Sequence, residues 1–323
     1  MKAAILRSAD SVPVYEDFEE PPAAEGYETV SLVAAGIAHN TRGVATGRHY
    51  SRRPVFPVIP GQNAVARTAS GELVFTGAGQ PPFGSFAERF PSPDAMRIPL
   101  PACASPEAVA AGVNPGMASW LPLMSHQNDG EKLGPVMILG VTGISGYLAA
   151  QNAKLLGATQ VIGVGRDPAG LERAAATGAR TVQLTGDQDA DADALARVLD
   201  GDPPGLVLDF VWGPVAEIAF AALTSLGFSE SGGASTSYVQ IGALAGTSAA
   251  VPAALLRSRK VTISGSGIGS VPASEIQARI PGYIKLIADG SVQVPFRIFK
   301  LSDVSTAWPA SAETGPRVVL IPG

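Results

Sequence analysis

The sequence predicts an α/β protein of two domains. A β-rich first domain precedes a doubly wound parallel sheet of six strands, and a β tail returns to the first domain. Three observations carry this. Residues 1 to about 100 read as short strands separated by breaks at Pro21-Pro22 and between Pro54 and Pro60. From about residue 135 apolar runs alternate with helix-forming segments, the rhythm of strand–helix–strand units. Where the two modes meet stands Val136-Met-Ile-Leu-Gly-Val-Thr-Gly-Ile-Ser-Gly146, an apolar run followed by glycines three apart.

In the first domain, residues 2–6 and 15–19 are strand-like, and 28–36 alternate well enough to expect a half-buried strand. Residues 63–69 and 72–76, parted by Ser70-Gly71, read as a hairpin, and 84–90 as a further strand. Residues 106–123 are small, apolar and helical in character, with Pro115-Gly116 as an expected interruption.

The second half is more regular. Residues 136–139 form the first buried strand, and Tyr147-Leu-Ala-Ala-Gln-Asn-Ala-Lys-Leu-Leu156 a helix that stops at Gly157. Strands are expected at 161–164, 180–184, 205–211, 237–242 and 260–265. Helices are expected at 168–177, opened by Pro168, then at 189–199 with an acidic front, at 215–225 and at 255–259. A helix at 273–289 closes at Gly290, and 296–300 and 317–321 are strand-like again.

Composition bounds the function. The chain has 323 residues, 46% hydrophobic and 16% charged, so it can bury two cores. A net charge of −5 with no basic tract argues against a nucleic-acid partner, which would need a phosphate-neutralising face. A single cysteine, Cys103, excludes an intrachain disulfide and any multi-cysteine metal site. No apolar run reaches membrane-spanning length, and the opening Met1-Lys-Ala-Ala-Ile-Leu-Arg7 is too short for a signal peptide. A cytoplasmic protein with no membrane partner is the expectation.

Strand, glycine turn and helix together suit a phosphate. Glycines let the backbone approach a pyrophosphate, and the helix N-terminus offers free N–H groups and a positive dipole end. Against the G-x-G-x-x-G fingerprint, Val141 occupies the first position and Gly143 and Gly146 the others, with an extra Gly140. Ordinary turns also use glycine, so spacing alone leaves a nucleotide site and a plain tight turn both open.

Whole-chain order then adds a resemblance. The segments Ala34-Ala-Gly-Ile-Ala-His39, Pro57-Val-Ile-Pro-Gly61, Gly84-Ser-Phe-Ala-Glu88, the turn at 140–146, Leu156-Gly-Ala158, Leu208-Asp-Phe-Val211 and Gly315-Pro-Arg-Val-Val-Leu320 resemble the medium-chain dehydrogenase/reductase superfamily over essentially the whole chain. The turn is most similar to the quinone oxidoreductase and enoyl reductase branch. Departures are Ile144, where that branch often has a further glycine, Thr41, where it often has Asp, and a first domain shortened around residues 68–84. The resemblance implies a GroES-like catalytic domain at 1–122 and 291–323 and a Rossmann domain at 123–290. The superfamily's zinc-binding alcohol dehydrogenases use a Cys and a His-Glu pair at the positions of Ala38, Gln62 and Asn63. Neither thiolate nor imidazole stands there, so a metal-free protein is expected. An alcohol dehydrogenase would instead require metal for activity.

Without a Lewis acid, the acceptors that suit hydride are those that delocalise the incoming charge: quinones and α,β-unsaturated carbonyls. The resemblance therefore implies a reductase of a small-molecule quinone or conjugated carbonyl. A protein of this fold that binds NADPH as a sensor, without turnover, is the rival from another class. The resemblance places the pyrophosphate at Thr142, Gly143, Ile144, Ser145 and Gly146. At the end of the second strand Gly165 takes the position where NAD enzymes carry an acid against the ribose, and Arg166 follows, which suits a 2′-phosphate and so NADP(H). Asp167 has two readings, N-cap of the next helix or a ribose ligand that would favour NAD(H). Phe210, Val211, Gly242 and Ala243 are implied along the nucleotide. Gly265, Ser266 and Gly267 serve either as backbone beside the nicotinamide or as a flexible turn. Catalytic candidates are His39, Asn40 and Tyr50, each able to supply a proton or a hydrogen bond, with Tyr50 alternatively a hydrophobic wall. In the superfamily the sixth strand often pairs with its symmetry mate. Lys260-Val-Thr-Ile-Ser264 has the apolar, β-prone character of such an edge, so a homodimer is expected.

Overall fold

Burial alternates along Tyr27–Gly36 but is continuous along Pro135–Leu139, apart from its first residue. A strand with one wetter face suits an antiparallel sheet, and a strand dry on both faces a parallel one. The computed structural model describes residues 1–51, 53–128, 133–226 and 235–323. Packing divides the chain into two units, Met1–Pro115 with Ser274–Gly323, and Gly116–Ala273. Relative to the expected boundaries after residues 122 and 290, the division falls earlier at both points, and the helix that follows Ala273 lies with the first unit.

The first unit begins with β1 (Lys2–Ile5) and β2 (Val14–Asp17), paired antiparallel. Next come β3 (Tyr27–Gly36), α1 (His39–Ala45), β4 (Asn63–Arg67), β5 (Leu73–Gly77), β6 (Arg89–Pro93), β7 (Ile98–Pro99) and α2 (Pro106–Asn128), within which the first unit gives way to the second at Gly116. β4 and β5 make the expected hairpin, and β3 pairs antiparallel with both β4 and β6. Two expectations need correction, and one helix was not anticipated. A strand at 84–90 is instead β6, starting at Arg89. Residues 85–87 are buried, but the Phe86 N–H bonds to the Pro60 carbonyl and its carbonyl accepts from Ala4 of β1, so the segment makes only an isolated bridge, Ala87 opposite Ala3, and not a continuous ladder. The sequence gives no sign of α1: its N-cap is Ala38, with no side-chain cap bond, and only Thr41 and Ala45 mark a buried face. α2 runs unbroken through Pro115-Gly116. Proline costs a helix about 3 kcal/mol, and the buried Val109, Val113, Met117 and Leu121 on either side offset it.

The second unit contains β8 (Pro135–Leu139), α3 (Ile144–Leu155), β9 (Gln160–Gly165), α4 (Pro168–Ala176), β10 (Arg180–Gln183), α5 (Gln188–Leu199), β11 (Leu206–Asp209), α6 (Pro214–Ser225), β12 (Thr236–Gln240), α7 (Ala253–Ser258) and β13 (Val261–Gly265). Its strands form one parallel sheet in the order β10-β9-β8-β11-β12-β13. Alternate residues face opposite cores. Met137 and Leu139 join Ile162, Val164, Val207 and Tyr238 under α5, α6 and α7. Val136 and Ile138 join Val161, Leu206, Leu208 and Val239 under α3 and α4. Each fully buried Leu, Ile or Val contributes about 1.5–3 kcal/mol, which explains why these strands read as continuous apolar runs.

The chain returns through α8 (Ala273–Ala288), β14 (Phe296–Lys300), α9 (Val304–Ala310) and β15 (Arg317–Ile321). β15 pairs antiparallel with β3 and parallel with β14, so the tail completes the first unit's seven-stranded sheet, as expected from sequence. The core of that unit packs Ile5, Leu32, Phe86, Phe90, Trp308 and Leu320 together.

Candidate active site

The turn between β8 and α3 is shaped by its glycines. Gly140 has φ +86°, and Gly140 and Val141 both donate to the Val164 carbonyl, at 2.9 and 3.1 Å. A Cβ on Gly146 would lie 2.3 Å from the Gly140 oxygen, so only glycine lets α3 pack against the turn. Gly143, the N-cap, is different: a Cβ there would meet nothing nearer than the Gly140 oxygen at 3.7 Å. The space over the helix start is therefore open. Ile144, Ser145 and Gly146 have no preceding helical carbonyl to receive their N–H groups, and the helix dipole adds positive potential. This cradle fits a phosphate group. Val141 replaces the first fingerprint glycine because its buried side chain lies against Gly163, where a Cβ would come within 2.9 Å of it. Thr142 lies against Gly165 and Gly170 in the same way, at 2.5 and 2.6 Å from their hypothetical Cβ atoms.

At the end of β9, Arg166 is exposed and its guanidinium makes no hydrogen bond or ion pair among the described residues. The Asp167 carboxylate accepts the Gly170 N–H at 2.8 Å and caps α4. Of its two readings, capping is the one the side chain adopts. Asp191, 1% exposed, accepts the N–H groups of Thr185 and Gly186 and the Thr185 hydroxyl at 2.8 to 3.0 Å. Burial raises its pKa, but those donors and the nearby Arg166 charge outweigh it, and the carboxyl lies below its ordinary range.

Asp209 ends β11 fully buried. Its Oδ1 accepts the N–H groups of Val211 and Trp212, both at 2.8 Å, and its Oδ2 the Tyr238 hydroxyl at 2.6 Å. Burial raises both pKa values, and the Asp209 charge raises that of Tyr238 further. The bonds turn the chain sharply enough to hold Trp212 at φ +56°, its ring edge-on to Phe220 and Tyr238. They also fix Phe210 and Val211: a Cβ on Gly140 would strike Val211, and one on Gly242 the Phe210 oxygen. Gly242 and Ala243 follow β12, and Gly265, Ser266 and Gly267 end or follow β13. All the nucleotide candidates therefore share the carboxyl edge of one sheet. The sequence shows Asp209 as an acid closing an apolar strand; its role as the clamp of this edge needs the fold.

In the first unit, His39 and Asn40 open α1. His39 is exposed, yet desolvation by the surrounding protein, then the charges of Arg317 and Arg42, lower its pKa. Asn40 Oδ1 accepts the Thr41 N–H at 2.8 Å. Tyr50 lies on the loop after α1, 74% exposed and stacked on the His49 ring at 4.4 Å. Arg42 donates to the Trp308 carbonyl and covers its ring. Sequence reasoning passes over Arg317 as a site residue, although a charge opening the apolar run Arg317–Ile321 is a legible signal. A small cavity beside it is lined by Ala38, Thr41, Asn63 and Asn114. Ala38, Gln62 and Asn63 offer no thiolate or imidazole and do not fit a zinc ion. Among the described residues, no three His, Cys, Asp or Glu side chains converge as metal ligands.

These features define a two-unit α/β protein with a Rossmann sheet and a β-rich partner unit, the fold of solved quinone oxidoreductases. Its likenesses are to quinone oxidoreductases. A protein of Emericella nidulans described as a probable NADPH-dependent quinone reductase, tdiC, is 33% identical over 230 residues, 67% of this chain. The chain spans 62% of that relative's length. The quinone oxidoreductase of Thermus thermophilus, solved also in complex with NADPH, superposes with a TM-score of 0.80 at 24% identity, covering 99% of this chain and 100% of that one. The Pseudomonas syringae pv. Tomato quinone oxidoreductase gives 0.79 at 22% identity, covering 100% of both chains. No family model matches the chain.

Proposed function

We propose that the chain is an NADPH-dependent oxidoreductase that reduces a quinone or an α,β-unsaturated carbonyl without a metal ion. The observation that carries it is the turn at 140–146, open above Gly143 and aimed by a helix N-terminus, in a chain one-third identical to a relative described as an NADPH-dependent quinone reductase. When bound, the nicotinamide cofactor supplies the hydride.

Ile144, Ser145 and Gly146 hold the pyrophosphate through backbone N–H groups, with Gly143 leaving the space above the helix open and Thr142 forming the turn beneath it. Arg166, whose guanidinium is not hydrogen-bonded within the fold, grips the 2′-phosphate through charge-assisted hydrogen bonds. Asp167, committed to its cap, leaves the ribose side free of a repelling carboxylate. Phe210 and Val211, fixed by Asp209, line the nucleotide with Gly242 and Ala243. Gly265, Ser266 and Gly267 present backbone to the carboxamide. On the acceptor side, His39 and the Asn40 amide donate hydrogen bonds to the acceptor oxygen, and Tyr50 with His49 offers an aromatic face. The lowered pKa of His39 makes it a neutral N–H donor at physiological pH, with final protonation drawn from water.

The test measures NADPH consumption against a panel of benzoquinones, naphthoquinones and enones, with and without a chelator. Turnover with members of the panel, unchanged by the chelator, is expected. Tight NADPH binding with no turnover of any acceptor would make the protein a sensor, and chelator-sensitive turnover rescued by zinc would make it an alcohol dehydrogenase. The same reading takes the protein as cytoplasmic and as a homodimer that pairs through β13, the last strand of its sheet. Among the described residues no helix is long and apolar enough to cross a membrane.

A further inference from the structure

Arg317 is the one charged residue of β15, and it is only 6% exposed. Its Nη1 donates to the Ile37 carbonyl at 3.0 Å, while its Nε is buried with no acceptor. Among the described residues no carboxylate pairs with it. Burial pushes its pKa down to about 10, so it remains charged at neutral pH. A buried cation without a counter-charge is costly, because protein donors and acceptors replace hydration but do not neutralise it.

Beside the guanidinium lies a small cavity that leaves about 10 Å³ for the centre of a water-sized particle, room for one such particle. Asn63, Asn114 and Thr41 line it with groups that can donate hydrogen bonds, and no acidic side chain lines it. The potential is positive enough that Arg317, after desolvation, is the leading influence lowering the pKa of the adjacent His39. A water would satisfy hydrogen bonds there but leave the charge unneutralised. A metal ion would be repelled, and a phosphate is too large.

We propose that this cavity binds one small monovalent anion of halide size, with Arg317 as its charge partner and Thr41, Asn63 and Asn114 as hydrogen-bond donors. The anion then ties the start of β15 to α1, β4 and the part of α2 up to Pro115, all within the first unit. This site does not depend on the catalytic reading above, and its test does not use turnover.

The test pairs two measurements on the wild-type protein. Thermal unfolding is followed in sodium chloride or bromide against sodium gluconate at equal ionic strength, since gluconate cannot enter the cavity. A saturable rise in Tm of several degrees in halide alone is expected, because a ligand bound only by the folded state stabilises it. Crystals soaked in bromide are expected to show one anomalous peak beside Arg317. In Arg317→Met the halide-dependent rise disappears; should that variant fail to fold, Ala38→Val, which narrows the cavity, is expected to blunt the rise. A cavity holding only water, a peak without a halide-dependent Tm, or a halide effect that survives Arg317→Met would each overturn the proposal.

Discussion

In the proposed function Arg166 carries the choice between nucleotides, as a single exposed side chain. A hydrogen bond to a charged group contributes about 1.5–3 kcal/mol, and exposure puts this one at the lower end. Arg166→Ala is therefore expected to weaken NADPH binding roughly tenfold and leave NADH binding little changed, read by fluorescence titration of both nucleotides. An unchanged NADPH preference would remove Arg166 from the phosphate site. Residues differ in how much the sequence reveals about them. Asp167 shows its cap position through Pro168 after it, a local relation. Asp209 and Arg317 stand out as charges at the ends of apolar runs, but their partners, Tyr238 and the Ile37 carbonyl, are distant in sequence and only folding brings them close.

At the scale of elements, the β8–turn–α3 unit is tightly constrained. Gly146→Ala would push a methyl group to 2.3 Å from the Gly140 oxygen and 2.6 Å from the Val141 Cα, both backbone atoms that cannot swing aside. Overpacking of this kind costs about 1–3 kcal/mol. The variant is expected to melt lower and to lose NADPH affinity together. Loss of stability with full affinity would mean that the cradle tolerates a shifted α3. Elements built from a strong local period were legible, including every strand of the parallel sheet. α1 was not, because its seven residues carry no side-chain cap and only two buried positions. The start of β6 was obscured because buried residues 85–87 divide their backbone bonds between the 60–61 loop and a single bridge to β1, Ala87 opposite Ala3, too short to extend a strand.

For the whole molecule, β13 ends the parallel sheet with one edge unpaired among the described residues, and its burial pattern is mostly exposed. An open strand edge invites pairing. Sedimentation or light scattering is expected to give twice the chain mass, and Ile263→Lys is expected to shift the protein toward monomer. A monomeric wild-type mass would refute the pairing.

Fold class, the glycine turn and the absence of zinc-ligand side chains were all legible in the amino-acid order, since each depends on residue type at short spacing. Periodicity separates a parallel from an antiparallel sheet, glycine spacing permits a tight turn, and missing donor atoms are visible at once. What required three dimensions was whatever rests on contacts between distant segments. The tail's docking on β3, the Asp209 clamp and the unneutralised Arg317 beside its cavity are set by which side chains exclude water together, and one-dimensional order carries no measure of that.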